Sequence, residues 1–202
     1  MNPVKGRACG DCTACCVELK VETPEFRKKA QAPCADLTTK GCGIYDSRFP
    51  ICRQFLCGWR LFADLGDAWR PDRSGVLVMR KAPSELPAAY HAPGFGVELA
   101  VFGGEDAVTR PGFAEYVAGL LARGVAVQMS AHSPSTIVNE HLDAARAGAD
   151  LPGLRDRLLG LYRLLHAARW SRGKLAQILP LYRLQLDRQT WLAHERLAKA
   201  SG

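Results

Sequence analysis

CGDCTACC, at Cys9–Cys16, and GCGIYDSRFPICRQFLCG, at Gly41–Gly58, hold seven of the chain's eight cysteines, and the eighth, Cys34, lies between them. In a Cys-x2-Cys step a tight turn can aim two sulfurs at one metal. Gly10, Gly41, Gly43 and Gly58, beside the thiols, permit the left-handed backbone that such turns often need. Cys15 and Cys16 are adjacent, and adjacent side chains diverge. Both reach one mononuclear ion only with a strained backbone, so one of them serves a second metal, bridges two, or is a spare thiol. Eight thiolates suffice for two tetrahedral zinc sites of four cysteines each, or for an iron–sulfur cluster with thiols left over. Cys9, Cys12, Cys15, Cys16, Cys34, Cys42, Cys52 and Cys57 are therefore the candidate metal ligands.

Working outward, all eight thiols fall before residue 58 of a 202-residue chain that is 48% hydrophobic. A chain of that length buries a core without disulfide staples. MNPVKGRACGDC has no apolar segment of the kind a secretory signal needs, and no later run reaches about 18 apolar residues. The expected compartment is the cytoplasm, where crowded cysteines hold metal more often than they form disulfides. Reactive redox thiols are the other alternative. The ferredoxin arrangement, with its fourth cysteine several residues after the third and then proline, is absent: Cys16 follows Cys15 directly and Val17 comes next. The vicinal pair and the surplus thiols suit a polynuclear centre, which favours iron–sulfur over zinc. Lys5, Arg7, Arg48, Arg53 and Arg60 are near enough in sequence to offset thiolate charge.

The chain reads as α+β in three segments of one compact domain. Residues 1–63 form an irregular Cys-rich metal module, with a short helix over Arg53–Ala63 at its edge. Residues 64–135 carry strand-like runs at Val76–Met79, Val97–Phe102 and Val125–Met129. A crossing helix at Pro111–Arg123 is stopped by Gly124. Residues 136–202 read as helical: Thr136–Gly148, Leu151–Trp170 with Leu154, Leu158, Leu161 and Leu165 at helical spacing, and Lys174–Lys199 broken or kinked at Pro180. Gly94–Gly96 and Gly103–Gly104 read as turns, because the spacing of a dinucleotide fingerprint is missing. His91 and His132 fall in loops, as satisfied loop or core side chains.

CGDCTACC, the cysteine of PCADL and GCGIYDSRFPICRQFLC together resemble the CxxCxxCC, or YkgJ-like, cysteine-cluster family, described as zinc- or iron-chelating proteins. The resemblance covers residues 9 to 60, and PDRSGVLV at Pro71–Val78 is similar to a segment that follows the cluster in some members. It implies that Cys9, Cys12, Cys15, Cys16, Cys34, Cys42 and Cys52, with Cys57, are ligands. Ile44, Tyr45, Asp46 and Arg48 resemble the family's IYxxR stretch, although Phe49 here separates the arginine from Pro50. Some proteins described as flagellin lysine N-methylases share a similar motif, so the resemblance also admits an iron–sulfur-dependent enzyme. A metal carrier or storage protein is the third reading.

Residues 151–202 hold 10 of the 27 Lys and Arg but only 3 of the 20 acidic residues, the whole of the +7 excess. A solvated basic helix face accounts for this. Aromatics interleaved with Arg169, Arg172, Arg183 and Arg188 leave nucleic acid a minor option, since no recognition module emerges. No client, protein or small molecule, is named by the sequence.

Overall fold

In the computed structural model, which describes residues 2–142 and 148–182, the Cys-rich segment folds in short pieces. These are helix α1 (Ala14–Glu18), the antiparallel pair β1 (Val21–Glu22) and β2 (Arg27–Lys28), a second pair β3 (Leu37–Thr38) and β4 (Gly41–Cys42), and the brief helices α2 (Pro50–Gln54) and α3 (Gly58–Leu61). The helix expected over Arg53–Ala63 is thus two separate turns. Phe55 and Cys57 are extended (ψ 121° and 160°) and break it.

The break lets α3 meet the sheet. A turn α4 (Pro71–Ser74) leads into β5 (Val76–Lys81), followed by β6 (Gly96–Val101), helices α5 (Gly104–Thr109) and α6 (Phe113–Ala122), and β7 (Ala126–Ser130). Val76, Leu77 and Val78 are all buried, so β5 is covered on both faces. Val76 and Val78 belong to the common core, and Leu77 lines a cavity shared with the cysteines. A methyl group added at Gly58 would lie 2.7 Å from the Val78 Cβ, closer than carbon atoms pack. Gly58→Ala is therefore expected to destabilise the fold by about 1–3 kcal/mol, the usual cost of overpacking. Denaturant unfolding would measure it, and a loss within about 0.5 kcal/mol, the range of ordinary surface substitutions, would mean that α3 is free to lift from β5.

The sheet has the order β5-β6-β7-β8, where β8 is Ser135–Ile137; β6 and β7 are parallel and the outer pairings antiparallel. β8 and the 3-10 turn Val138–Glu140 replace the start of the helix expected from Thr136. Thr136 and Ile137 are buried against β7, and the Asn139 side chain bonds the backbone of both Val125 (3.0 Å) and Val127 (2.8 Å). Tertiary pairing overrides local helix propensity here. Gly104, read as a turn, opens α5 instead.

Between β6 and β7 the chain crosses over through α5 and α6, and α6 ends as expected. Gly124 is left-handed (φ 68°), and Gly124 and Val125 donate to the carbonyls of Leu121 (2.9 Å) and Leu120 (3.0 Å). This is the Schellman arrangement. Helix α7 (Leu151–Ala167) starts where the Asp150 carboxylate accepts from Gly153 N–H (2.9 Å), and it ends short of Trp170. Its leucines 154, 158, 161 and 165 are buried against α5 and α6. A helical run over 172–182 continues through Pro180, which does not end it. Leu175 and Tyr182 are buried in the core there, and Tyr182 Oη donates to Arg157 O (2.6 Å), so packing holds the run across the proline. The remainder of the expected Lys174–Lys199 helix, with Arg183 and Arg188, and residues 143–147 lie outside the described residues. One core cluster extends from Trp59 to Tyr182. Among the described residues no helix is long and apolar enough to cross a membrane.

Gln31 ties the Cys-rich segment to the end of the sheet by donating from Nε2 to a ring nitrogen of His132 (2.7 Å). Burial, with His166 and Arg169 nearby, holds His132 below the ordinary imidazole value. The unfolded chain takes up this proton from about pH 6.5 downward while the folded protein resists it. The associated stability is present above that pH and is lost as pH falls through the lower folded value. Melting temperatures between about pH 7.5 and 5 should decline less steeply in His132→Asn than in the parent.

Candidate metal centre

Each thiol is positioned by a local backbone contact. Cys12 N–H donates to Cys9 O (3.0 Å), closing the first turn, with Gly10 left-handed at φ 56°. A side chain at Gly41 would stand 3.1 Å from Gly10 O, so the β3–β4 hairpin that carries Cys42 seats its backbone against that turn. Cys15 and Cys16 lie on α1, and Cys34 N–H donates to Cys16 O (3.0 Å). Cys52 lies on α2, and Cys57 starts α3, accepting from Arg60 N–H (2.9 Å).

All eight thiols line one cavity of about 290 Å³. None is in a disulfide and each is half-buried. The rest of the wall is largely apolar, including Leu77, Phe55 and the stacked rings of Phe26 and Phe49 (centroids 4.4 Å apart). Among the described residues no three His, Cys, Asp or Glu side chains converge closely enough to hold a single metal ion. The thiols surround a space rather than a point.

Cys15 lies close to Cys9 and Cys12, and Cys57 close to Cys9. Cys34 and Cys52 both lie close to Cys16 and Cys42. Cys15 and Cys16 are also each other's nearest electrostatic neighbour, so the vicinal pair joins the two groups. The neighbouring Cys16 and then burial push the Cys15 thiol far up, whereas Cys16 is brought down by Cys15, with Lys28 and Arg48 assisting. Burial is also the leading cause that raises Cys12, Cys34, Cys52 and Cys57.

Two of the five basic residues expected at the site serve it. Arg60 Nη1 lies 3.7 Å from Cys9 Sγ, and Arg48 lies near Cys16 and Cys52. Arg7 is engaged elsewhere, with the carbonyls of Trp59 and Phe62, while Lys5 and Arg53 are exposed away from the cavity. Lys28 was not legible as part of the site. It is only 9% exposed, and its Nζ donates to Val17 O, Ala32 O (both 2.8 Å) and Lys29 O (2.9 Å), which uses all three ammonium protons and sets a positive charge beside Cys16 and Cys34. Asp72 was also unforeseen, although it lies in the PDRSGVLV segment. Its carboxylate accepts from the Cys12 thiol and is held below its usual range chiefly by Arg70, which bonds it twice at 2.7 Å and also grips Asp11. His91 lies off the cavity and meets Leu86 O (3.0 Å).

Two buried donors of residues that line the cavity, Trp59 Nε1 and Arg60 Nε, have no acceptor among the described residues. A buried N–H without a partner is costly. An anionic thiolate or sulfide centre would supply acceptors, so the donor set, the unpartnered N–H groups and the nearby cations all fit a thiolate-bound metal. Comparisons with family models, curated proteins and solved structures return no match to the chain.

Proposed function

We propose that the protein is a metal-binding protein in which cysteine thiolates hold iron–sulfur centres, in two sets: Cys9, Cys12, Cys15 and Cys57, and Cys16, Cys34, Cys42 and Cys52. The observation that carries this reading is that thiols spread over 49 sequence positions line one cavity. In this arrangement the vicinal pair stands where the two sets meet, with Cys9 and Cys12 beside Cys15 and Cys34 and Cys52 beside Cys16. Iron–sulfur is preferred to zinc on size. Four sulfurs at about 2.3 Å enclose a zinc ion completely. Here the thiols stand back around about 290 Å³, space that inorganic sulfide would share. Trp59 Nε1 and Arg60 Nε would donate to the sulfurs, a contact that tunes cluster potentials. The resemblance of residues 9–60 to the YkgJ-like cysteine-cluster family, described as zinc- or iron-chelating, supports metal binding without choosing between the two metals.

Elemental analysis, acid-labile sulfide determination and an absorption spectrum of anaerobically purified protein test it. Iron with sulfide and broad visible absorption is expected. Colourless protein containing zinc would replace the iron–sulfur reading with a zinc one, and protein without metal after purification from metal-sufficient cells would refute both. A carrier role is a second reading, favoured by the partial exposure of every thiol. It requires exchange with a competing chelator within minutes, whereas retention over hours speaks for a resident cofactor.

A further inference from the structure

All three non-glycine residues with left-handed backbone among the described residues, Gln31 (φ 55°), His132 (φ 81°) and Trp170 (φ 67°), meet at one place. Gln31 bonds His132, the His132 and Trp170 rings stack with centroids 5.7 Å apart, and Trp170 N–H donates to Ser133 O (2.6 Å). Such conformations are strained and concentrate at functional sites. His132 and Trp170 border a second cavity, of about 520 Å³, within the range of small-molecule sites. It lies along Met79, Glu98 and Ala100 and reaches Val101 and Ser130, the last residues of the parallel strands β6 and β7, the end at which open α/β sheets place ligands. Leu19 and Lys20 form a wall common to it and to the cysteine cavity.

The charges on its walls indicate what it takes. Glu98 is paired with Lys81 (3.5 Å) and accepts from Ser130 Oγ (3.2 Å), Lys20 is paired with Glu22, and Glu18 has Lys28 and Gln31 beside it. Arg172 alone lines the cavity with no acceptor among the described residues. One guanidinium without a counter-charge among the described residues, with two carboxylates on the other walls, selects a monoanion over a phosphate-like dianion. Its planar fork matches a carboxylate. Trp170, 56% exposed, presents an aromatic face, and Met79, Phe102 and Pro134 supply apolar surface. We infer that this cavity binds a small aromatic monocarboxylate, with Arg172 holding the carboxylate and Trp170 covering the ring.

Calorimetric titration of the metal-loaded, full-length protein with 2-naphthoate, and with 2-naphthamide as its uncharged counterpart, tests the assignment. Naphthoate should bind one per chain and the amide at least tenfold more weakly. Arg172→Gln and Trp170→Leu alter exposed side chains, so the melting temperature should hold while each lowers naphthoate affinity about tenfold or more. Absence of saturable binding, equal affinity for the amide, or undiminished binding in both variants would overturn it. So would binding lost only in Phe49→Ala, which would place the aromatic acid in the cysteine cavity.

Discussion

If the thiols hold metal as proposed, removing it from the purified protein is expected to unfold residues 1–56 while α3, whose Trp59 belongs to the common core, the four-stranded sheet and its helices remain folded. The segment before α3 would then have little besides ligation to hold it. Its strand pairs are two residues long, and among its described residues only Ala14 is a buried hydrophobic side chain. Structural thiolate–zinc sites contribute about 10–16 kcal/mol to folding, and a centre of that strength exceeds anything else available to this segment. Limited proteolysis after chelation should cut between residues 17 and 49 and leave a C-terminal fragment beginning no later than α2, whereas loaded protein should resist. Cys12→Ser and Cys52→Ser sample the two sets separately. Each should lower metal content by about half if the sets load independently, and one variant losing everything would show that they load as a unit. Unchanged metal content and unchanged melting in both would refute cysteine ligation as described here.

Phe113→Ala should cost about 3–5 kcal/mol, as truncation of a fully buried aromatic does. Phe113 has no exposed surface, begins α6 and stacks on Trp69 with centroids 6.1 Å apart. That cost is a large fraction of the roughly 5–15 kcal/mol that holds a domain folded. Denaturant unfolding of metal-loaded protein should show a strongly lowered midpoint with metal content retained until the core transition begins. The two perturbations then separate the parts: chelation acts on the segment before α3, and Phe113→Ala on the core behind the sheet. A Phe113→Ala midpoint within about 1 kcal/mol of the parent would mean that α6 is not integral to the folded core.

Much of this architecture was written locally. Strands at 76–81, 96–101 and 126–130, the helix before Gly124 and the leucine-striped helix after Asp150 follow from apolar periodicity and from caps acting within a few residues. The cysteine spacing likewise indicates thiolate chemistry, since short Cys-x2-Cys steps are local objects. What only the tertiary structure decided are features whose partners are remote in sequence. The helix expected over Arg53–Ala63 breaks so that Gly58 can lie against Val78, and Thr136–Ile137 becomes a strand because β7 offers an unpaired edge. Lys28 carries an ordinary surface residue's sequence signature, and only the fold of the loop around it gathers three carbonyls onto its ammonium. The meeting of Gln31, His132 and Trp170 depends on segments 38 to 139 residues apart. Periodicity and spacing report forces acting along a few turns of chain, whereas the sites arise where distant segments bury one another's charge and polar groups.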